Sequence, residues 1–246
     1  MHFERMAAEY ATARPPYPRA IVEELSRRGV IGPGISVLEV GAGAGLATGD
    51  LMAAGSRVTA LEPGERLAHL LMAGVPTATV VVTRLEEADL PDRVFDSAVA
   101  ATSMHWVELQ IGLPILHRAL RPGGWLAVWR TVFGDDTVTT PFREHVNRVV
   151  AARQALPEPA APRDERPTMQ ELASGGWFAP VDTMRWRWSV DLTTEQIRRL
   201  FSTFSDWTPA EVEAAAAAAD RCGGTVNEHY SSVLHLLKAS QTATSG

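Results

Sequence analysis

The chain has 246 residues, with 46% hydrophobic and 21% charged side chains, which is ordinary globular usage and enough for one sizeable core. A formal net charge of −6, with no long cluster of lysine and arginine, argues against nucleic acid as a partner. The single cysteine, Cys222, excludes an internal disulfide, and no Cys/His spacing suits zinc, so no metal is expected. No apolar run is long enough to span a bilayer, and the start, "MHFERMAAEY", lacks a secretory apolar core. Together these features predict a cytoplasmic protein with no membrane partner, and they leave the oligomeric state open.

"YPRAIVEELSRRG" places Ile21, Val22 and Leu25 at helical spacing and stops at Gly29. "ISVLEV" is a short β-branched run, followed by glycines and by "LATGDLMAAG", a helix closed by Gly55. "SRVTALE" predicts a second strand and "GERLAHLLMAG" a second helix. "ATVVVT", "DSAVAA" and "GWLAVWR" predict strands three, four and five. Alternating strands and helices imply a parallel sheet covered on both faces.

Beyond Arg130 the pattern changes. "PFREHVNRVVAARQAL" predicts a helix, and "PEPAAPRDERP", with four prolines in eleven residues, a surface loop. "VDTMRWRWSV" alternates as a strand with Trp186 and Trp188 on one face. "TTEQIRRLFSTF" opens on a threonine cap, and "TPAEVEAAAAAAD" is helical by propensity with Pro209 at its start. "HYSSVLHLLKA" suits a last strand.

The segment "VLEVGAGAG" carries the chemistry. A strand, a glycine-rich turn and a helix start admit close backbone approach by a nucleotide-like ligand. A dinucleotide fingerprint needs glycine at its first, third and sixth positions. Gly41 and Gly43 supply the first two, but the sixth position is Leu46, and the third glycine is Gly45. Glu39 precedes the first glycine by two residues.

With that acid and those three glycines, the chain resembles the class I S-adenosylmethionine-dependent methyltransferases, whose first motif reads acid-x-Gly-x-Gly-x-Gly. The resemblance implies an α/β, Rossmann-like seven-stranded sheet in the order 3-2-1-4-5-7-6, with strand seven antiparallel and a helical lid insertion. It implies S-adenosyl-L-methionine as cofactor, held by Glu39, Gly41, Ala42, Gly43 and Gly45. Glu62, followed by Pro63, stands where the family places the acid that binds both ribose hydroxyls. In "LEEADLPDRVFD", Leu85 would neighbour the adenine ring and Glu86 receive its amino group, with Glu87 as the alternative. Thr102, in the stretch "TSMHW" after strand four, joins this cofactor set.

"YATARPPYP" and "MHWVE" are similar to the small-molecule branch around trans-aconitate methyltransferase. That similarity implies an N-terminal segment over the cofactor's methionine end, with Tyr10 and Arg14 near the cofactor and Tyr17 near the acceptor. Arg14 would hold a carboxylate in a bidentate fork. The Asn/Asp-Pro-Pro-Tyr signature of enzymes acting on adenine or glutamine amides is missing from "TSMHW". The pair Asp135 and Asp136 reads as a solvated loop rather than a metal site.

Methyl transfer asks the protein mainly for an in-line approach, an orientation effect of roughly 7–11 kcal/mol in favourable cases. His105 is the candidate base, at the sheet edge where ligands bind, or else it shapes the pocket without moving a proton. Trp106 either walls the substrate pocket or fills core, and Phe133 and His145 complete the expected acceptor set; Phe142 and Trp177 are further groups of use around a ligand, and His145 and His229 are weaker candidates for the base. The expected organisation is a single domain over residues 1–246, with residues 1–30 and 131–178 forming a lid over a small-molecule acceptor. A non-methylating S-adenosylmethionine-binding protein on the same fold is the alternative.

Overall fold

The computed structural model describes residues 13–135, 137–153, 166–204 and 206–241. Tyr10 and Asp136 lie outside the described residues. Helix α1 (Arg19–Arg27) buries Ile21 and Leu25, one turn apart, and leads into β1 (Ser36–Val40). Then come α2 (Leu46–Ala53), β2 (Arg57–Leu61), α3 (Glu65–Gly74), β3 (Thr79–Val81) and β4 (Phe95–Ala101). Helix α4 (Leu109–Ala119) precedes β5 (Leu120–Phe133), followed by α5 (Pro141–Ala151) and α6 (Met169–Ala173). The chain ends with β6 (Phe178–Thr193), α7 (Thr194–Ser202), α8 (Pro209–Arg221) and β7 (Thr225–Ala239).

The seven strands form one sheet in the order β3-β2-β1-β4-β5-β7-β6. β1 through β5 pair in parallel, and β7 runs antiparallel between β5 and β6. Order and strand direction both agree with the sequence-based expectation. The central strands are apolar without alternation because helices cover both faces: Leu38 and Val40 face one core, Val37 the other. α1, α2 and α3 pack on the Val37 side, α4 and α6 on the other. β6 instead alternates between half-buried and exposed positions, as an edge strand with one covered face does.

A third core joins α5, α7 and α8 to the ends of β5, β6 and β7. Three of the helix starts around it are capped as their sequences suggest. The Thr140 hydroxyl accepts from Arg143 N at 3.0 Å, and Thr193 and Thr208 form capping boxes with Gln196 and Glu211. Residues 194–221, between β6 and β7, share this third core with α5, which belongs to the expected lid insertion, 131–178. Asp135 is buried rather than solvated. It pairs with Arg187 at 3.1 Å and accepts from both the amide and the hydroxyl of Thr137. No helix among the described residues is long and apolar enough to cross a membrane.

Candidate functional site

A cavity of about 500 Å³ opens at the carboxyl ends of the parallel strands. Its first wall is the turn between β1 and α2. Gly41, Gly43 and Gly45 all have positive φ, which side chains rarely adopt. At Gly41 and Gly45 an added side chain would meet protein rather than open space. A Cβ on Gly41 would lie 2.6 Å from Ser103 Cβ, and one on Gly45 would lie 2.5 Å from Leu71 Cδ1. These two glycines serve the packing of the turn against its neighbours. Gly41, Ala42, Gly43 and Ala44 line the cavity, whereas Gly45 does not.

The turn's amides are already engaged. Gly41 N and Ala42 N donate to Leu61 O at 2.8 and 3.0 Å. Gly43 N donates to Glu62 Oε2 at 2.7 Å, and Gly64 N to Glu62 Oε1 at 2.8 Å. Glu62 is thereby fixed at the end of β2, where it lines the cavity. Glu39, 1% exposed, accepts from Thr48 Oγ1 at 2.7 Å through Oε2. Its Oε1 is buried with no hydrogen-bond partner among the described residues. Burial, and after it the Glu62 and Asp50 charges, push the Glu39 carboxyl up to about 8 against the pull of the Thr48 hydrogen bond.

Pro63, Leu85 and Glu86 continue the wall. Glu86 Oε1 accepts from Glu108 N at 2.9 Å, and Oε2 faces Arg84 Nε at 3.7 Å. The alternative acid, Glu87, is exposed and does not line the cavity. Thr102, just past β4, has φ 57, a strained conformation for a β-branched residue, and its hydroxyl accepts from Thr131 N at 3.2 Å. This places Thr102 on the cavity wall between β4 and β5.

Of the expected acceptor residues, Tyr17, Trp106 and Phe133 line the cavity, as does Arg14, expected near the cofactor. The Tyr17 ring stands edge-on to Trp129 at 5.4 Å, and Trp106 is 62% exposed at the rim, so it fills no core. Two of the expected residues lie elsewhere. His105 is not among the residues lining this cavity: it lines an adjoining groove that shares Arg84, Glu86, Trp106 and Val107 with it, its ring 4.8 Å from that of Trp106. Burial, then the Arg130 charge, push its pKa down to about 4, so it is neutral at pH 7 and a weak proton acceptor. His145 lies on α5, its Nδ1 3.4 Å from Arg221 on α8, and does not line the cavity either. Phe142 is buried in the third core, and Trp177 packs near the opposite end of the sheet, against His117.

Among the lining residues that escaped sequence reasoning in this role are Trp188, Leu200 and Tyr230. Strand register brings two of them together with Phe133. Tyr230 on β7 pairs with Phe133 on β5 and with Trp188 on β6. The three rings form a row: Trp188 stacks on Tyr230 at 4.5 Å and 15°, and Phe133 meets Tyr230 edge-on at 5.4 Å. Behind the row, Arg143 lies over Phe133 at 4.2 Å and pairs with buried Glu228. The alternation of "MRWRW" was a usable signal for Trp188, but nothing local marks Tyr230.

Comparison with known proteins adds similarities to methyltransferases. Residues 38–128 match the model described as a methyltransferase domain. An uncharacterized methyltransferase of Mycobacterium tuberculosis is 32% identical over 136 residues, 53% of each chain, so this chain matches about half of that relative's length. An uncharacterized methyltransferase-like protein of Schizosaccharomyces pombe is 27% identical over 205 residues, 82% of this chain and 77% of the relative. Among solved structures, a proposed Type II methyltransferase from Anaeromyxobacter dehalogenans aligns with a TM-score of 0.67 at 22% identity, covering 93% of this chain and 98% of that one. The geranyl diphosphate C-methyltransferase of Streptomyces coelicolor A3(2), solved with S-adenosyl-L-homocysteine, aligns at 0.51 and 17% identity over 90% of this chain and 76% of that one. The seven-stranded sheet is therefore the Rossmann-like fold of methyltransferases, and residues 38–128 within it match the methyltransferase domain family.

Proposed function

We propose that this protein transfers a methyl group from S-adenosyl-L-methionine to a small organic acceptor. The observation that carries this reading is the glycine turn flanked by two buried carboxylates, Glu39 and Glu62, with its leading amides already bonded to Leu61 and Glu62. Such a turn offers few donors to a pyrophosphate and would repel it, which disfavours a dinucleotide. It suits a nucleoside with hydroxyls and positive charge. Glu62 accepts from the ribose hydroxyls, Glu86 faces the adenine amino group beside Leu85, and the unpartnered Glu39 oxygen faces the amino-acid end. When bound, the cofactor supplies an electrophilic methyl group on a sulfonium.

The chain's residues then orient the acceptor and exclude water. Tyr17 and Thr102 wall the space between the turn and the aromatic row. A small acceptor, as in the trans-aconitate-like branch, is supported by Arg14 and Tyr17, which the N-terminal segment brings to the cavity. With His105 neutral and outside the cavity, acceptors that need no protein base are favoured. Calorimetric titration with S-adenosyl-L-homocysteine tests the reading. One site on the wild type, lost or greatly weakened in Glu62→Ala, supports it; equal binding by both proteins, or none by the wild type, refutes it.

A further inference from the structure

The far half of the cavity is chemically one-sided. Phe133, Trp188, Tyr230 and Leu200 give it an apolar wall. The acids that line the cavity, among the described residues, are Glu39, Glu62 and Glu86, and all three belong to the glycine-turn half. Of the two lining arginines among the described residues, Arg84 stands beside Glu86 in that same half. Arg14 lies at the aromatic end, its guanidinium 4.8 Å from the Phe204 ring.

The polar groups of the wall differ in how they are used. The Thr131 hydroxyl bonds to Ser232 at 2.8 Å, and Trp188 Nε1 donates to the same hydroxyl at 3.0 Å. Tyr230 is 3% exposed, and its hydroxyl is buried with no hydrogen-bond partner among the described residues. Burial raises its pKa further above the ordinary tyrosine value, so the hydroxyl keeps its proton. A buried donor without an acceptor costs stability unless something satisfies it, and the open space beside Tyr230 is the cavity.

We infer that the acceptor is a flat, largely apolar monoacid. Its body lies against the Phe133–Tyr230–Trp188 row, and its carboxylate accepts from the Tyr230 hydroxyl with Arg14 as countercharge. This inference rests on the proposed function, which assigns the other half of the cavity to the methyl donor. An amine is disfavoured because guanidinium groups already lie over the Phe133 and Phe204 rings. A polyacid is disfavoured because, among the described lining residues, Arg14 is the cation at this end and each further carboxylate would lose water without gaining another.

The test uses protein saturated with S-adenosyl-L-homocysteine and three probes followed by ligand-observed NMR: cinnamate, cinnamylamine and tricarballylate. Cinnamate is expected to bind at least about tenfold more tightly than the amine or the triacid. Tyr230→Phe should weaken cinnamate about tenfold, leave S-adenosyl-L-homocysteine affinity unchanged and not lower the melting temperature, since the hydroxyl has no partner to lose. Arg14→Gln should also weaken cinnamate. Equal or tighter binding of the amine or triacid, no binding of cinnamate, wild-type cinnamate binding by Tyr230→Phe, or a lowered melting temperature in that variant would overturn the inference. Failure of S-adenosyl-L-homocysteine to bind in the preceding titration would instead remove the proposed function beneath it.

Discussion

On the glycine-turn side, β1, β2 and β3 are five, five and three residues long, whereas β5, β6 and β7 run for 14, 16 and 15. The short parallel strands end at nearly the same level, so residues just past their ends, such as Gly41 and Glu62, converge on one edge. The long strands rise beyond that edge and become a wall. One half of the cavity is thus built from backbone turns and fixed carboxylates, the other from side chains projecting from a single sheet face. The first half supplies polar groups of set geometry and the second supplies shape.

If the halves are separable, damage to one should spare the other. The largest effect is expected at the buried pair behind the wall. Arg143→Ala leaves Glu228, 1% exposed, without its partner and strips the guanidinium from Phe133. Breaking such a pair costs roughly 3–5 kcal/mol. Urea unfolding should show that loss, while calorimetry should show cofactor-product affinity unchanged in the protein that stays folded. Replacing both partners together, Arg143→Met with Glu228→Gln, should recover much of the stability. A cofactor affinity that falls with Arg143→Ala would merge the two halves.

Glu62→Ala is the converse cut. Two hydrogen bonds to a charged acceptor are worth roughly 1.5–3 kcal/mol each before water replaces part of them, so affinity should drop by about two orders of magnitude. A loss below about threefold would mean that Glu62 does not hold the ribose.

A smaller effect is expected from pH. Burial of Glu39 raises its pKa from 4.5 to about 8, so between those values the folded protein keeps a proton that the unfolded chain releases. Stability from this group is therefore complete below pH 4.5 and declines as pH rises toward 8. A cationic ligand favours the carboxylate, so binding should expel the proton and strengthen as pH rises toward 8. Glu39→Gln should flatten both dependences, measured by thermal unfolding and by titration in buffers of different ionisation heat.

The smallest signal belongs to His105. With its pKa pushed down to about 4, its ring resonances should stay flat across the neutral range in an NMR titration. A midpoint near the ordinary histidine value of about 6.5 would restore it as a base.

The two halves also differ in how far the sequence reveals them. The turn, Glu39, Glu62 and Glu86 lie within one run of strand–helix units, where local spacing sets position in space. Even there, helix α4 stayed hidden, because Gly112 and Pro114 interrupt its pattern. Gly112 is needed because a Cβ would come 2.4 Å from Val107 and 3.0 Å from Leu85. The wall depends on register between strands far apart in the chain. Phe133, Trp188 and Tyr230 meet because β7 inserts between β5 and β6, which no local pattern encodes. The position of His105 was hidden for a related reason. Its place after β4 was legible, but the 3-10 turn Met104–Trp106 carries its ring into the groove beside Trp106.

Hydrogen exchange on the wild type with S-adenosyl-L-homocysteine alone tests the division most directly. Protection should rise at residues 41–46 and 62–64, while Thr131–Phe133, Trp188 and Tyr230 exchange as in the free protein until an acceptor probe is added. Protection that rises along β5, β6 and β7 with the cofactor product alone, or fails to rise at the glycine turn, would contradict it.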